Sequence, residues 1–560
     1  MKTRVGRLAF WFLASLLFTV HSSATTYYVA ANSPNPVLPY TSWATAATNI
    51  EDAAGVAAPG DTVLVTNGVY GFGGAVVYGQ ETNRVALTNG ITLLSVNGPN
   101  TTAIVGGTQT RCVYVGSNSV VSGFTITNGA ARNTGDITNE QSGGGVWCQA
   151  GGVVSNCLIS GNASGANYGR GGGIYGGTVW NSTLYRNSSG YGAGAASASF
   201  FNCLVVSNAL MGGNYGGGVY QGTLSNCTIA ANWAYNGGGG AYQSTLYNCT
   251  VTGNNGAWDG GGTYQGTNIN CLIKGNTSSG GGGGTYAGTH FNCSITGNTA
   301  QYGGGAYQST NYDCFITGNT ASTGGGGAYG GWLCNCVLNG NTATNYSSSS
   351  GGGLDTGWII NCTVTGNTAS GSGGGMSGGD AFNSIIYFNS APSGPNWTNG
   401  ADFGYCCTTP WVGWPDCITN DPAFVDAAGS DFRLKSGSAC IDAGISSFSP
   451  LLAPTNDIRG VSRPVAGNPG IDMGAYEYDP AIDQTRPLLQ LVSFPASSTN
   501  GFQFQFSGQS NAVYPVQVAT NLVLPVVWQN LQTITGTGGM VQVTDANATN
   551  RTGFYRVRVQ

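Results

Sequence analysis

The segments GGGVYQGTLSNCTIAAN (residues 216–232), GGGAYQSTLYNCTVTGN (238–254) and GGGTYQGTNINCLIKGN (260–276) are three consecutive copies of one unit. The unit recurs between about residues 142 and 390, at intervals of roughly 21 to 26 residues. It shows no helical periodicity, and glycine or asparagine bends separate short runs that favour strands. A repeat of this kind predicts one coil of a β-solenoid whose parallel strands stack about 4.8 Å apart.

An Asn-Cys pair marks the phase of each coil. Because alternate residues of a strand share one face, the cysteine and the apolar residue two places later are predicted to point into the core. The Thr or Ser between them is predicted to point outward, and asparagines at one bend are expected to hydrogen-bond to one another along the stack. The pair occurs at Asn156-Cys157, Asn202-Cys203, Asn226-Cys227, Asn248-Cys249, Asn270-Cys271, Asn292-Cys293, Asn335-Cys336 and Asn361-Cys362, with the variants Asn181-Ser182, Asp313-Cys314 and Asn383-Ser384.

Nine of the 16 cysteines belong to this column, which runs from Cys157 to Cys362. Neighbouring column positions have nearly parallel Cβ directions about 4.8 Å apart, slightly too far for an unstrained disulfide. We therefore expect buried free thiols that fill the core. The cysteines outside the column are Cys112, Cys148, Cys334, Cys406, Cys407, Cys417 and Cys440. A disulfide from Cys417 or Cys440 to the Cys406-Cys407 pair stays open, because the sequence does not assign the pairing.

The first 24 residues have the pattern of a signal peptide. Lys2, Arg4 and Arg7 form a basic segment, residues 8–20 are apolar, and residues 22–24 form a small-residue cleavage site. The apolar run is too short to span a bilayer comfortably, and no later segment is apolar enough to do so. The sequence predicts a protein that is secreted or held at the outer cell surface, with no transmembrane span after signal removal.

The composition disfavours nucleic acid as a partner. Only 7% of the 560 residues are charged, and 95 are glycine. Removing three of the 17 basic residues with the signal peptide lowers the formal net charge from −5 to −8. An acidic surface repels phosphates, so nucleic acid and anionic lipid are not expected partners.

The N-terminal part of the mature chain reads as a cap. Residues 25–110 are predicted to form this cap and the first coils, with an amphipathic helix over residues 42–57 that buries Ile50 and Ala54. A cap is expected because the open end of a solenoid exposes unpaired strand edges. Residues 111–420 form the main repeat body.

Two further regions follow the repeat body. Residues 421–480 break the composition sharply and are rich in acidic side chains. Residues 488–560 are predicted to form a separate small β-sandwich-like domain, because Phe502, Phe504 and Phe506 alternate with polar residues.

The repeat resembles two known groups of proteins. The overall pattern is similar to right-handed parallel β-helices of the pectate-lyase-like group. The pairing of ITGNTA (295–300) with GGGAY (303–307) resembles the repeats of bacterial polymorphic outer-membrane proteins. The resemblance implies an all-β, right-handed parallel β-helix, and it leaves the activity open, because this fold carries enzymes, adhesins and structural proteins.

The acidic region resembles the choice-of-anchor Q region that follows β-helices in many secreted bacterial proteins. The resemblance rests on DPAFVD (421–426), DFRLKSGSACIDAG (431–444), DIRGVSRP (457–464) and IDMGAYEY (471–478). Its acids form either a Ca²⁺ site or ion pairs and turn caps. Their spacing matches no known calcium loop, so we predict ion pairs, no metal ligands and no resident cofactor.

A catalytic β-helix needs a convergent set of acids or bases. A lyase requires a positioned base, and a hydrolase requires two or three close carboxylates. Between residues 141 and 401 the only acids are Asp259, Asp313, Asp355 and Asp380. Asp355 takes a tyrosine position of the repeat, and Asp380 takes the place that Trp358 holds one coil earlier. Asp355 and Asp380 are therefore the only candidate catalytic pair. The sequence does not assign a catalytic role to either residue.

His290 is the single histidine of the mature chain. The repeat places it between Asn268 and Asn311 in adjacent coils. It is predicted to belong to a hydrogen-bonded polar stack, and the alternative is a catalytic base.

Tyrosines occupy one position of the coil, and the residue before them is apolar or Thr. These tyrosines are expected to face outward, where they either bind a ligand by stacking on sugar rings or stack across coils to support the sheet. The column contains Tyr175, Tyr220, Tyr242, Tyr264, Tyr286, Tyr307 and Tyr329, and the members from Tyr220 onward are the candidate ligand-binding residues.

The sequence favours a non-catalytic exported protein that acts in adhesion or in binding a glycan or a cell-surface component. One alternative is a polysaccharide lyase or glycoside hydrolase of the β-helix type. The other is a structural spacer that presents residues 488–560.

Overall fold

The computed structural model describes residues 24–480 with gaps, and six short segments beyond them. The gaps are 213, 346–348, 399–401, 449–450 and 466–469, and the further segments are 489–490, 502–507, 513–519, 529–536, 540–545 and 554–557. Residues 1–23, and so nearly all of the predicted signal peptide, lie outside the described residues. The regular structure of the described residues is almost entirely β-strand, and the helices described in full are the α-helix Ile50–Val56 and the 3-10 turn Trp43–Thr45. The predicted all-β fold class is confirmed.

One coil passes through four strand positions in a fixed order. In one such coil these are Thr245–Tyr247, Thr250–Thr252, Asn255–Gly256 and Thr263–Tyr264, and the next coil begins at Thr267–Ile269. Each strand pairs in parallel and in register with the same position of the neighbouring coils. Four rows of strands therefore run along the axis, which confirms the parallel β-helix.

The strand bounds by row are as follows. The first row, of 16 strands, is Thr26–Val29, Thr62–Val65, Thr92–Ser95, Val120–Ser122, Val153–Ser155, Thr178–Trp180, Ser199–Phe201, Thr223–Ser225, Thr245–Tyr247, Thr267–Ile269, Thr289–Phe291, Thr310–Tyr312, Trp332–Cys334, Trp358–Ile360, Asp380–Phe382 and Phe403–Gly404. The second row is Gly68–Tyr70, Thr102–Gly107, Thr125–Gly129, Leu158–Ser160, Thr183–Tyr185, Leu204–Val206, Thr228–Ala230, Thr250–Thr252, Leu272–Lys274, Ser294–Thr296, Phe315–Thr317, Val337–Asn339, Thr363–Thr365, Ile385–Tyr387 and Cys407–Thr408. The third row is Ser188–Ser189, Ala209–Leu210, Trp233–Ala234, Asn255–Gly256, Thr277–Ser278, Thr299–Tyr302, Thr320–Gly324, Thr342–Ala343 and Thr368–Ala369. The fourth row is Ala75–Val76, Thr82–Leu87, Thr110–Val115, Val146–Cys148, Ile174–Tyr175, Ala195–Ala196, Val219–Tyr220, Ala241–Tyr242, Thr263–Tyr264, Thr285–Tyr286, Ala306–Tyr307, Ala328–Tyr329, Leu354–Asp355, Met376–Ser377 and Trp397–Thr398.

Positive-φ residues and close backbone approaches make the short strands possible. The asparagine of the Asn-Cys step turns the chain from the first row to the second with a left-handed backbone, as at Asn248 with a φ of 52°. The glycine triplet lies where coils approach closely. A Cβ on Gly240 would come within 2.6 Å of the carbonyl oxygen of Gly262 in the next coil, so only glycine fits there.

The interior of the coils is packed as the alternation predicts. Cys249 and Val251 are buried, and Thr250 between them is only partly buried. The N–H of Cys227 donates to Sγ of Cys249 at 3.4 Å, and the Cys249 thiol donates to the carbonyl oxygen of Tyr247. All the column cysteines are buried free thiols, as predicted.

The cysteine column is longer than the sequence pattern suggested. Cys406 follows the variant Ser384 in the column, and its N–H donates to Sγ of Cys417 at 3.3 Å. The Asn-Cys pattern marks neither position, because Tyr405 precedes Cys406 and Asp416 precedes Cys417. Cys406, Cys407, Cys417 and Cys440 are free thiols in this structure.

A continuous asparagine ladder runs inside the bend between the second and third rows. Each side-chain Nδ2 donates to Oδ1 of the next member at 2.9–3.2 Å, which confirms the expected hydrogen bonding along one bend. The ladder asparagines are buried. The ladder contains Asn162, Asn187, Asn208, Asn232, Asn254, Asn276, Asn298, Asn319, Asn341, Asn367, Asn389 and Asn396.

The N-terminal helix is shorter than predicted. It spans Ile50–Val56, with Asn49 as its N-cap accepting from the N–H of Asp52, rather than residues 42–57. Before the helix, Trp43–Thr45 form the 3-10 turn, and the chain then leaves the helical path because Ala47 pairs with the strand Thr26–Val29. Ile50 and Ala54 are buried, as predicted.

The acidic region packs along the side of the last coils. Its hairpin of Phe424–Asp426 and Asp431–Leu434 contributes to a second hydrophobic core that includes Val337, Ile385 and Cys407 from the second row. The short hairpin Ser447–Phe448 and Leu451–Leu452 follows in the same region.

Marker asparagines of the last coils hold the acidic region by hydrogen bonds. Asn335 Nδ2 donates to the carbonyl oxygen of Asn456 at 2.8 Å, and Asn383 Nδ2 donates to that of Ile445 at 2.7 Å.

The described C-terminal segments form two antiparallel three-stranded sheets. One contains Leu489–Gln490, Phe502–Ser507 and Met540–Asp545, and the other contains Val513–Ala519, Gln529–Thr535 and Phe554–Val557. Side chains of both sheets share one core, so this part is sandwich-like, as predicted.

Candidate functional site

The tyrosines of the fourth row form one stacked ladder over six successive coils. Between Tyr220 and Tyr329 the ring centroids of neighbours are 4.6–5.3 Å apart, and their planes differ by 4–21°. The residue before each tyrosine is buried, whereas the rings are half-buried and lie on the outer surface. The ladder is interrupted by Ala196 on the N-terminal side and by Asp355 on the C-terminal side. It is the most regular polar and aromatic surface of the β-helix.

The stacking decides what the ladder offers to a ligand. The ring faces of Tyr242, Tyr264, Tyr286 and Tyr307 are covered on both sides by neighbouring rings, so the predicted cross-coil stacking is present. A molecule lying along the ladder would meet ring edges and phenol hydroxyls rather than open ring faces. Within the described chain no hydrogen bond engages these hydroxyls.

A row of glutamines borders the tyrosine ladder. Gln221, Gln243 and Gln265 each follow a ladder tyrosine and are exposed. Gln221 Nε2 donates to Gln243 Oε1 at 2.9 Å, and Gln243 Nε2 donates to Gln265 Oε1 at 3.1 Å. They recur with the same period as the tyrosines, which is the signal in the sequence that marks them. Hydroxyls and amides in register form a band that both donates and accepts hydrogen bonds.

The other border of the ladder is uneven. Tyr191, Tyr215 and Tyr302 lean their rings against ladder tyrosines, as Tyr215 does against Tyr242 at 4.5 Å. Between Tyr215 and Tyr302 the same border position is taken by Gly237, Asp259 and Gly281.

The two glycines of this border leave room for the ladder rings. A Cβ on Gly237 would lie 2.7 Å from the Tyr264 ring, and one on Gly281 would lie 2.9 Å from the Tyr307 ring.

Among the described residues, Asp259 is therefore the one acid that this border places beside the middle of the ladder. Its Oδ1 accepts from the N–H of Gly281 at 2.7 Å. Partial burial raises the pKa of Asp259, against the effect of that hydrogen bond. Burial also raises the pKa of Tyr286, and the Asp259 carboxylate adds to the rise, which places its charge close to the ladder.

The candidate catalytic pair does not share a contact. Asp355 follows Tyr329 in the fourth row and accepts from the hydroxyl of Ser350 at 2.5 Å. Asp380 lies in the first row beside Trp358 and accepts from the N–H of Asp402. Among the described residues no hydrogen bond joins the two carboxyl groups, which lie in different strand rows.

A cleft of about 500 Å³ lies between the β-helix and the acidic region. It is lined by Asn292, Asp313, Pro454, Thr455, Asn456, Asp457, Ile458, Arg459 and Gly460. Asp313 replaces the marker asparagine here, and its Oδ1 accepts from Asn335 Nδ2 at 2.8 Å. Partial burial raises the pKa of the Asp313 carboxyl. The sequence showed the replacement, but it could not show that a cleft opens beside it.

The acids of the 421–478 region are held by cations and backbone amides. Arg463 and Glu477 form a fully buried ion pair at 2.8 Å, and Arg459 pairs with Asp457 at the same distance. Asp472 Oδ1 accepts from the N–H of Asp442. Within the described residues no three His, Cys, Asp or Glu side chains gather as metal ligands do. The predicted ion pairs are present, and the expectation of no metal ligands, with Ca²⁺ as its alternative, stays a prediction.

His290 lies inside the coil with both predicted neighbours in register. Asn268, His290 and Asn311 are fully buried, and Asn268 Nδ2 lies 3.0 Å from His290 Nδ1. If that nitrogen accepts, the proton of the neutral ring is on Nε2, which has no partner in this structure. The ring is out of reach of any outside ligand.

The first coils bury two ionisable side chains, Arg111 and Glu81. Arg111 is 1% exposed, and its guanidinium donates to Asn83 Oδ1 and to the carbonyl oxygens of Gly143 and Ser142. Burial raises the pKa of the nearby Glu81 to about 7. These residues lie outside the repeat, so no period marked them, and their contacts are internal.

No protein-family model matches the chain, and no curated protein matches it. Similar solved structures include a pectate lyase, 14% identical, with 82% of this chain and 97% of that chain covered and a TM-score of 0.25. The A-module of a mannuronan C-5 epimerase from Azotobacter vinelandii is 15% identical, with 67% and 99% covered and a TM-score of 0.26. A PL6 family alginate lyase is 11% identical, with 63% and 52% covered and a TM-score of 0.29. Scores this low carry no argument about substrate or reaction.

The described helices are all too short or too polar to cross a membrane. The fold and the site together define a parallel β-helix that carries a band of stacked tyrosines on its outer surface.

Proposed function

We propose that this chain binds an extended polysaccharide along its tyrosine ladder, without cleaving it. The observation that carries the proposal is the register of the ladder. Phenol hydroxyls recur at the spacing of the coils, 4.6–5.3 Å between ring centroids, which is close to the length of one sugar unit in an extended chain. Each successive sugar would meet an equivalent tyrosine.

The chemistry of the band supports the same proposal. Sugar hydroxyls need partners that donate and accept, and both the tyrosine hydroxyls and the glutamine amides do so. The tyrosines are already ordered by stacking, so binding costs little side-chain entropy. The exported location predicted from residues 1–24, either secreted or on the outer cell surface, is part of this proposal, because such a surface would meet polysaccharide there.

Removing the three central hydroxyls is expected to weaken polysaccharide binding at least about ten-fold. The variant is Tyr242→Phe/Tyr264→Phe/Tyr286→Phe, in which the stacked rings remain. Because these hydroxyls have no partner in the described chain, the unfolding midpoint is expected to stay unchanged. The measurement is a glycan array followed by calorimetric titration of the polysaccharide that binds.

The corresponding Ala variant, Tyr242→Ala/Tyr264→Ala/Tyr286→Ala, is expected to lose both binding and some stability. Wild-type affinity in the Phe variant and in the Ala variant alike would contradict binding at the ladder.

A second candidate function is polysaccharide cleavage at the Asp313 cleft. The observation that favours it is one carboxyl with a raised pKa lining an open cleft, which is what a general acid requires. Asp457 in the same cleft is less suited to act as a general acid, because its carboxylate oxygens already accept hydrogen bonds. The donors are Arg459 Nε and the backbone N–H groups of Arg459 and Val461.

We expect polysaccharides incubated with the protein, with and without Ca²⁺, to yield no soluble products. Chromatography and the near-ultraviolet absorbance of unsaturated sugars measure this. Product release that disappears in Asp313→Asn, which restores the asparagine of that column, would replace the binding proposal by the second candidate. Product release unaffected by Asp313→Asn but lost in Asp355→Asn would point to the other candidate acid.

A further inference from the structure

We infer that the polysaccharide held by the tyrosine ladder carries free amino groups, and that Asp259 is the carboxylate that pairs with an ammonium group. The inference rests on the proposed function and names its ligand class. It starts from the charges that border the ladder.

Carboxylates outnumber cations along this border. Asp259 lies partly exposed beside Tyr264 and Tyr286. Asp355 takes the ladder position directly after Tyr329, where it is buried and accepts from the Ser350 hydroxyl. Among the described residues the one cation acting on the ladder is Arg170, at the Tyr220 end. The stretch from Tyr242 to Tyr329 is therefore a negatively charged strip.

Asp259 is placed to use its charge outward. One carboxylate oxygen accepts from the N–H of Gly281, which fixes the orientation of the group. Asp259 is partly exposed, and its border neighbours Gly237 and Gly281 add no side chain of their own beside it. The next residue toward the N-terminus, Trp258, is 57% exposed and widens the same surface.

This electrostatic arrangement discriminates between classes of polysaccharide. A polymer of uronic acids would place carboxylates within a few ångströms of Asp259, and like charges at that distance repel. A neutral polymer would gain only the hydroxyl and amide contacts. A polymer of amino sugars would add a charge-assisted hydrogen bond from an ammonium group to Asp259.

Three hexasaccharides test the inference by calorimetric titration of the full chain at low and at high salt. They are hexamers of glucosamine, of N-acetylglucosamine and of galacturonic acid. We expect the glucosamine hexamer to bind about ten-fold more tightly than the N-acetylated one, and the galacturonate hexamer to bind weakest. High salt is expected to remove most of the difference.

Asp259→Asn keeps the side-chain shape and removes the charge. It is expected to abolish the preference for glucosamine while leaving the affinity for the N-acetylated hexamer unchanged. Asp416→Asn, an exposed acid outside the ladder, is the matched control for net charge and is expected to keep the preference.

The possible failures are distinguishable. Equal binding of all three hexamers that is lost in the tyrosine→Phe variant, or a preference for galacturonate, would overturn the inference and leave the proposed function standing. Absence of any binding that depends on the ladder would overturn both.

Discussion

Replacing Asn254 by Leu is expected to lower the free energy of unfolding by about 4 kcal/mol. The fully buried amide makes four hydrogen bonds. Its Oδ1 accepts from the N–H and from Nδ2 of Asn232 at 2.9 and 3.0 Å, and its Nδ2 donates to Ile229 O and Asn276 Oδ1 at 2.9 and 3.0 Å. Leucine has a similar volume but leaves the N–H of Asn232 without its partner in a dry interior, which costs about 1–3 kcal/mol, and it removes one hydrogen bond each from Asn232 Nδ2, Ile229 O and Asn276 Oδ1, each worth about 1 kcal/mol. Urea denaturation followed by circular dichroism measures the change.

The matched control is Asn248→Asp in the same coil. Asn248 is exposed, and its column already accepts an acid at Asp313. We expect this variant to change the free energy of unfolding by less than about 1 kcal/mol. Equal effects of the two variants would mean that the inner ladder adds nothing beyond backbone pairing.

Replacing His290 by Asn is expected to remove a stability loss of about 3 kcal/mol that the wild type shows between pH 7 and pH 4. Burial lowers the pKa of His290 from 6.5 to about 4, against smaller opposing effects of Cys314 and Cys271. Its surroundings are the amides of Asn268 and Asn311 and the thiols of Cys271 and Cys314.

The direction of this pH dependence is set by whether the folded or the unfolded chain binds the proton. Between pH 6.5 and about 4 the unfolded chain takes up a proton on this histidine while the folded chain does not. Stability due to His290 is therefore complete above pH 6.5 and falls as the pH is lowered toward 4. Asparagine does not titrate and continues the column of Asn268 and Asn311.

The readout is the difference between wild type and variant in urea midpoint, taken at pH 7 and at pH 4.5. Acids such as Asp472 and Glu477, whose pKa values burial raises to about 6 and about 7, titrate in the same range in both proteins. Protonation of these acids raises the stability of the folded state as the pH falls, which is opposite to the effect of His290. Because both proteins contain the acids, their effect cancels in the difference between wild type and variant. Parallel pH curves for the two proteins would contradict the buried neutral histidine.

Much of the β-helix was predictable because residues separated by one repeat in the sequence become neighbours in adjacent coils. In parallel, in-register stacking, residues one period apart become direct neighbours, so counting along the chain identified the cysteine column, the tyrosine column and the contact of His290 with Asn268. Alternation within each three-residue strand then decided which side chains face the core.

The sequence pattern gave wrong predictions at two places. Cys406 was misassigned because Tyr405 stands in place of asparagine, and the N-terminal helix was drawn too long because Ala47 pairs with the first strand. In both places a backbone contact to a neighbouring strand, which no local pattern records, decided the outcome.

The sequence by itself determined the class of fold, the faces of the strands and the residues that form each column. Only the tertiary structure decided what those columns present to a ligand. The tyrosine rings turn their faces toward one another because side-chain torsions are set by packing between coils. The neighbours of Asp259 lie in bends of adjacent coils, and the Asp313 cleft is closed by the non-repeating acidic region. The positions of these segments follow from long-range packing rather than from the repeat period.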